Sequence, residues 1–317
     1  MVEGSFVDFK MTVLITGGSG MVGTCFRDLI PDASLVSSSD CDLRSLSQTK
    51  ALFNSIGPDY VIHLAAKVGG VKANTNYLGD FYRDNLLINT NVLECCRLSN
   101  VKKVVSLLST CIYPDKVTYP LTEEQIHNGE PHQSNFAYAY AKRMLDVQSR
   151  AYRRQYGCNF ITAVPNNLYG PNDNFHLEDS HVIPAIIRKV WEAKLGDNPP
   201  VLWGDGSPLR EFTYSEDIAN ILLFLLREYN DEYPINIGKV GDIQIKKVTE
   251  IICELLDYDF NKIIWDTSKL SGQHRKPSSN KKLIDIGWDN NKYTSLYDGL
   301  KKTCEWFIIN YPNVRGV

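Results

Sequence analysis

The sequence predicts an α/β fold, a Rossmann-type doubly wound parallel sheet with a smaller C-terminal substrate-binding region, on three observations. An apolar run at 12–16 passes directly into Gly17-Gly18-Ser19-Gly20-Met21-Val22-Gly23, the order in which a strand hands over to a phosphate-binding turn. Further apolar runs of strand length at 59–65, 104–108 and 160–164 are separated by long segments of helical periodicity, the alternation of a parallel sheet. Ser109-Thr110-Cys111 closes the run at 104–108, and Tyr138 and Lys142 lie in the periodic segment after it.

The 317 residues suffice for two regions sharing one cleft. We expect a dinucleotide-binding domain over 11–170, with about 211–240 returning to it, and a mainly substrate-binding domain over 171–317. A hydrophobic fraction of 43% and a charged fraction of 22% are ordinary for a globular chain. The net charge of -3, with scattered basic residues, argues against nucleic acid as a partner. No apolar run reaches the roughly 18 residues of a membrane span, and 1–10 lacks a signal-peptide core, so a cytoplasmic location without membrane partners is expected. The eight cysteines form no Cys-x-x-Cys pair and no His-containing ligand spacing, so no metal is expected. They read as small buried hydrophobes, Cys111 excepted for its position.

Taken in order, 1–10 is an aperiodic extension with no assigned function. In the glycine string, Gly17 permits the tight turn, Gly20 lets backbone N–H groups approach a pyrophosphate, and Gly23 lets the following amphipathic helix pack closely on the strand. The second strand, 33–37, ends in Ser37-Ser38-Ser39. An acidic residue there would grip the ribose 2′-hydroxyl of NAD, whereas hydroxyls tolerate the 2′-phosphate of NADP. NADP is the expectation, with Asp40 close by and loop filler the alternative. The strand at 59–65 runs through Ala65 into small residues that let a cofactor and substrate approach the backbone; His63 within it reads as a satisfied core histidine. Asn85, Asn89 and Asn91 interrupt the helix at 80–100, through capping, internal hydrogen bonds or a subunit interface.

Ser109, Thr110 and Cys111 should emerge at the C-terminal edge of their strand, where open α/β sheets bind ligands. The connection 113–135 exceeds an ordinary loop and reads as a cleft wall. Tyr138 and Lys142, at i and i+4 of a helix ending at Gly157, share one face, and Tyr140 points elsewhere. An ammonium beside the phenol would favour phenolate and fit Tyr138 for general acid–base work, with Ser109 hydrogen-bonding the same oxygen.

The strand at 160–164 leaves the sheet through Pro165-Asn166-Asn167-Leu168. A helix from Ser180 to about Lys194 would carry His181 in its first turn, with its pKa lowered there; a polar residue facing water is the alternative. Trp203 is a candidate stacking wall and Arg210 a candidate diphosphate clamp. The run at 233–237 returns to the sheet, helices follow at 246–256 and 295–311, and the basic loop 271–276 suits phosphates or solvent.

With these residues assembled, the chain resembles the GDP-L-fucose synthases, epimerase–reductases of the extended short-chain dehydrogenase group. The narrower marks are His63-Leu-Ala-Ala-Lys-Val-Gly-Gly70, Ser109-Thr-Cys-Ile-Tyr-Pro114, Ser180-His-Val-Ile-Pro184 and Trp203 followed by Arg210-Glu-Phe212. The resemblance implies GDP-4-keto-6-deoxy-D-mannose as substrate, NADPH as reductant, GDP-L-fucose as product, and a homodimer. Tyr138 and Lys142 then match the reductive pair, Ser109 the helper, and Cys111 and His181 the epimerising acid and base. Cofactor contacts would come from the glycine string, the serines 37–39, Ala65, Lys142, Pro165, Asn166, Asn167, Leu168 and His181. Lys189, Trp203, Arg210 and Ser271 would meet the GDP-sugar. Two departures stand out: the family's Pro-Thr-Asn is Pro165-Asn166-Asn167 here, and Ser271 stands where an Asp would precede Gly272. Another nucleotide-sugar epimerase, dehydratase or reductase of this fold, or a non-catalytic sensor, are the alternatives.

Overall fold

The computed structural model describes residues 11–196, 198–268 and 275–317. The extension 1–10 and the basic-loop positions 271–274, Ser271 included, lie outside the described residues. Strands β1 (Val13–Thr16), β2 (Ser34–Val36), β3 (Tyr60–His63), β4 (Lys103–Leu107) and β5 (Phe160–Pro165) alternate with helices α1 (Phe26–Leu29), α2 (Leu46–Ile56), α3 (Val71–Asn76), α4 (Leu78–Leu98) and α5 (Phe136–Tyr156). The chain continues through β6 (Asn167–Tyr169), α6 (Val182–Leu195), β7 (Val201–Trp203), β8 (Leu209–Arg210), β9 (Phe212–Tyr214), α7 (Ser215–Glu228) and β10 (Ile235–Ile237). It ends with β11 (Ile243–Gln244), α8 (Ile245–Leu255), β12 (Ile264–Asp266), α9 (Lys281–Asp285) and α10 (Leu296–Asn310).

One parallel sheet, ordered β10-β5-β4-β3-β1-β2, organises the molecule. Its strands are mainly apolar because both faces are covered: Leu14, Val61, Val104 and Phe160 pack into a core with α4 and α5, while Ile15, Ile62, Val105 and Ile161 pack against α7. The chain leaves β1 first toward β2 and then crosses to β3, so the order reverses at the carboxyl end of β1, where such sheets bind ligands. A third core, from Ile183, Ile187, Leu202, Ile252 and Phe307, lies under α6, α8 and α10.

The 113–135 connection contains two single-turn helices, at 123–125 and 133–135. It is anchored at its middle. The Leu121 amide donates to Pro277 O and its carbonyl accepts from the Ser279 amide, each at 2.9 Å. Beside it on β10, the Asn236 amide donates to Glu123 Oε1 (2.8 Å), while Asn236 Nδ2 donates to Leu121 O (3.0 Å) and Tyr113 OH to Asn236 Oδ1 (2.6 Å). The polar segment that sequence marks as a loop thus lies along the β10 edge of the sheet.

Candidate active site

The glycine turn is shaped by close backbone approach. Gly17 has φ +75°, and a Cβ there would meet the Ala65 amide at 2.9 Å; a Cβ on Gly23 would overlap the Gly17 carbonyl. Gly23 therefore packs closely on the glycine turn. The expected amphipathic helix is shorter, a 3-10 turn at 23–25 followed by α1. Among the described residues, the Ser19, Met21 and Val22 amides have no backbone partner, and Ser19 is exposed. Bare donors at a glycine turn on the carboxyl end of β1 fit a pyrophosphate.

At the tip of β2, the Asp40 carboxylate accepts from the Ser37 amide (2.8 Å) and Ser37 Oγ (2.6 Å), and Ser37 and Ser39 hydroxyls meet at 2.7 Å. These bonds lower the Asp40 carboxyl from its ordinary value. The acidic group is folded back on the first serine, so the tip presents hydroxyls.

Next to β1, His63 is buried, with Nδ1 2.7 Å from Thr16 Oγ1 and Nε2 3.1 Å from Asn89 Oδ1. Asn89 Nδ2 donates onward to Ala141 O, and Thr16 Oγ1 accepts from the Ala65 amide. The donors and acceptors close if the ring is neutral with its proton on Nε2. Burial, reinforced by the nearby Lys142, pushes its pKa down to about 3. Asn85 and Asn91 are likewise satisfied internally, by Lys67 and Phe81 and by Leu43.

The end of β4 and the start of α5 bring the central residues together. Ser109 Oγ accepts from the Cys111 amide (3.4 Å) and caps a single turn, Thr110–Ile112, that carries the thiol. Lys142 is buried, donates to Leu107 O (2.8 Å), and lies 5.9 Å from the centroid of the Tyr138 ring. Here the electrostatics correct the sequence reading. Lys142 does not draw Tyr138 toward phenolate: burial, then the neighbouring Cys111, raises the phenol well above its ordinary pKa. The ammonium is committed to a strand-end carbonyl, and burial lowers its own pKa to about 8. Burial also raises Cys111, against the opposing pull of Ser109, Lys276, Lys142 and Arg143. Tyr138 and Cys111 both enter as proton donors in a positive setting. Such a cluster can give a proton to an oxyanion and move protons beside a carbonyl.

On the other side, His181 is the N-cap of α6 with extended backbone, one position before the helix and not within its first turn. Its ring opens to the surface, yet surrounding protein lowers its pKa. Lys189 Nζ donates to Val201 O (2.8 Å) and lies over the Trp203 ring at 5.9 Å, and Trp203 is 54% exposed. Arg210 Nη1 donates to Leu209 O (2.7 Å). The Asn166 side chain is buried, accepting from Thr213 Oγ1 and donating to Lys239 O, so the departure from the family's Thr is absorbed by packing. Asn167 Nδ2 donates to Glu211 O, and Leu168 is half-buried beside it.

A model of the NAD-dependent epimerase/dehydratase family matches residues 13–238. A GDP-L-fucose synthase from Dictyostelium discoideum is 45% identical over 315 residues, covering 96% of this chain and 98% of that protein. The chain belongs to the GDP-L-fucose synthases of that family. A GDP-L-fucose synthetase from Naegleria fowleri bound to NADP superposes with a TM-score of 0.92 at 39% identity, over 96% of this chain and 95% of that one. The Escherichia coli GDP-L-fucose synthase is 34% identical over 97% of this chain.

Family marks do not expose every group around this site. Arg143, the neighbour of Lys142, is buried and donates to Ile112 O and Gly129 O, and Asn135 Oδ1, three residues before Tyr138, is buried without a partner among the described residues. Helical spacing in the sequence hides both. An arginine on the inner face of an amphipathic helix was the one available signal.

Proposed function

We propose that this enzyme converts GDP-4-keto-6-deoxy-D-mannose to GDP-L-fucose, inverting the carbons on either side of the ketone and then reducing it with NADPH. Support comes from Ser109, Cys111 and Tyr138 gathered at one strand end, together with full-length likeness to GDP-L-fucose synthases. Bound NADPH supplies the hydride. The glycine turn takes the pyrophosphate, the β2 serines accept the 2′-phosphate, and Ala65, Pro165, Asn166, Asn167 and Leu168 border the cofactor.

Tyr138, kept protonated by burial, gives its proton to the 4-oxygen, and Ser109 donates to the same atom. Hydrogens beside a ketone are acidic because the resulting charge sits on that oxygen, so the same two donors serve the inversions. Cys111 and His181 exchange the protons at carbons 3 and 5. Lys142 keeps Leu107 and the strand end in place and adds positive potential. Lys189, Trp203, Arg210 and Ser271 hold the GDP portion, and 171–317 contributes most of that side. The protein acts in the cytoplasm as a homodimer, its partner covering the apolar groove of Leu78, Tyr82, Phe136, Tyr140 and Met144 between α4 and α5.

Incubation with the keto sugar and NADPH, followed by product identification, tests the reading. One GDP-L-fucose per NADPH consumed is expected. Turnover without net NADPH loss would instead indicate a cofactor-recycling epimerase or dehydratase, and no turnover a binding protein.

A further inference from the structure

Arg143 is 4% exposed, and its charge has no carboxylate partner among the described residues. The acid one turn further along α5, Asp146, is taken by Arg150 (2.7 Å) and His127 (2.8 Å). Arg143 instead spends its donors on carbonyls, Nε on Ile112 O at 2.6 Å and Nη1 on Gly129 O at 2.7 Å, with its guanidinium 5.4 Å from the Tyr140 ring centroid. Nη2 is buried and bonded to nothing described. A buried cation left without a counter-ion is unfavourable unless an anion forms beside it. The group able to become that anion is the residue before Ile112.

We propose that Arg143 is a positioning residue for Cys111: it pins the single turn carrying the thiol to α5 and supplies a fixed charge that favours the thiolate. This rests on the reading of Cys111 as an epimerising acid or base. The pull is needed because burial raises the thiol. Other charged or titratable groups face it from each neighbouring element: Tyr138 and Lys142 on α5, Ser109 at the turn, and Lys276 on the segment before α9. Burial lowers Lys142, Lys276 and Arg143 alike, but the lysines start close enough to neutrality to lose protons, whereas the guanidinium starts far above it. Among the cations, an arginine alone holds its charge throughout the pH range in which the thiol titrates. Arg143 therefore shapes the inversions more than the reduction.

The test reads the thiol without turnover. Alkylate the intact protein with iodoacetamide from pH 6 to 10, and follow Cys111 by peptide mass spectrometry, with the partly exposed Cys158 as internal reference. In Arg143→Gln, which keeps a donor and removes the charge, the midpoint for Cys111 should rise by about one unit, so alkylation near neutral pH slows about tenfold. Arg143→Lys, which keeps a charge, should fall between. Deuterium entry from solvent at carbons 3 and 5 should drop in Arg143→Gln by at least as much as NADPH-dependent reduction. An unshifted Cys111 profile in folded Arg143→Gln, with an unchanged reference, overturns the proposal. A shifted profile with exchange intact in Cys111→Ser would instead refute the role of the thiol and leave the electrostatic link standing. If Arg143→Gln does not fold, the Arg143→Lys profile decides: a midpoint moved by more than a unit, despite the retained charge, refutes the charge role.

Discussion

Two regions of the molecule, the β1–β3 pair and the segment after β6, treat one buried polar group each in opposite ways. On the sheet side His63 has both ring nitrogens engaged, by Thr16 and Asn89, and stays neutral. On the crossing segment after β6, Asp173 is also buried, but one oxygen accepts from the Asn174 amide (2.7 Å) and Oδ2 has no partner among the described residues. Burial raises that carboxyl to about 7, opposed by the Asn174 amide and Arg315. Ser180 Oγ, beside His181, is likewise buried and unpartnered there. His63 is thus held by a closed set of bonds, whereas Asp173 and Ser180 keep unused polar capacity, as Ser106 Oγ, Thr162 Oγ1, Asn135 Oδ1 and Arg143 Nη2 do elsewhere among the described residues. A proton donor that must stay aligned for hydride transfer needs the first arrangement, and recognition of a polyhydroxylated ligand suits the second.

The largest effect expected is at the sheet end. Tyr138→Phe keeps the ring and its edge contact with Phe81 but removes the proton. Reduction should fall about a hundredfold to ten-thousandfold. Stopped-flow loss of NADPH absorbance measures it, and a wild-type rate would make Tyr138 a packing residue.

Next comes His63→Leu, which strips a partner from Thr16 and from Asn89. Urea unfolding at pH 7 should show a loss on the order of 2–4 kcal/mol. The pH dependence carries the sign. A folded pKa of about 3 against an ordinary 6.5 gives stability that is present above 6.5 and lost as pH falls. The penalty of the mutation should therefore shrink toward pH 4.

Asp173→Asn tests the other region. Its folded pKa lies above the ordinary 3.8, so its contribution is fully present below 3.8 and lost as pH rises toward about 7. The variant should match wild type at pH 4 and be more stable at pH 8 by on the order of 2 kcal/mol. Equal stability at both pH values would place Asp173 in the satisfied class with His63.

Trp203→Ala should do least to the fold, because the indole is 54% exposed. Loss of base stacking costs about 1–3 kcal/mol. The substrate KM should rise roughly tenfold or more, with kcat and Tm nearly unchanged, and an unaltered KM would remove Trp203 from the nucleotide site.

What was legible in the sequence was local. Apolar runs placed β1, β3, β4 and β5, and the spacing from Tyr138 to Gly157 placed α5 to within two residues, because each depends on a pattern that the segment itself carries. α1 was misjudged because an apolar stretch after a glycine turn looks helical whether or not a full helix follows. Long-range partners were illegible. Nothing around position 142 says that its ammonium will meet Leu107 O, and adjacency on the helix points only to Tyr138. The bond from Asp40 to Ser37, three residues away, was in principle within reach, since such short polar loops close on themselves.

The anchored 113–135 connection also covers the outer edge of the sheet. β10 is a terminal strand of the sheet, and an unpaired strand edge is a template for another chain. The Glu123 carboxylate accepts from the Asn236 backbone amide, and the Leu121 carbonyl accepts from the Asn236 side chain. Shortening this connection would thus uncover a sticky rim as well as reshape the cleft, and the damaged protein should be lost to aggregation during expression before its activity could be assayed.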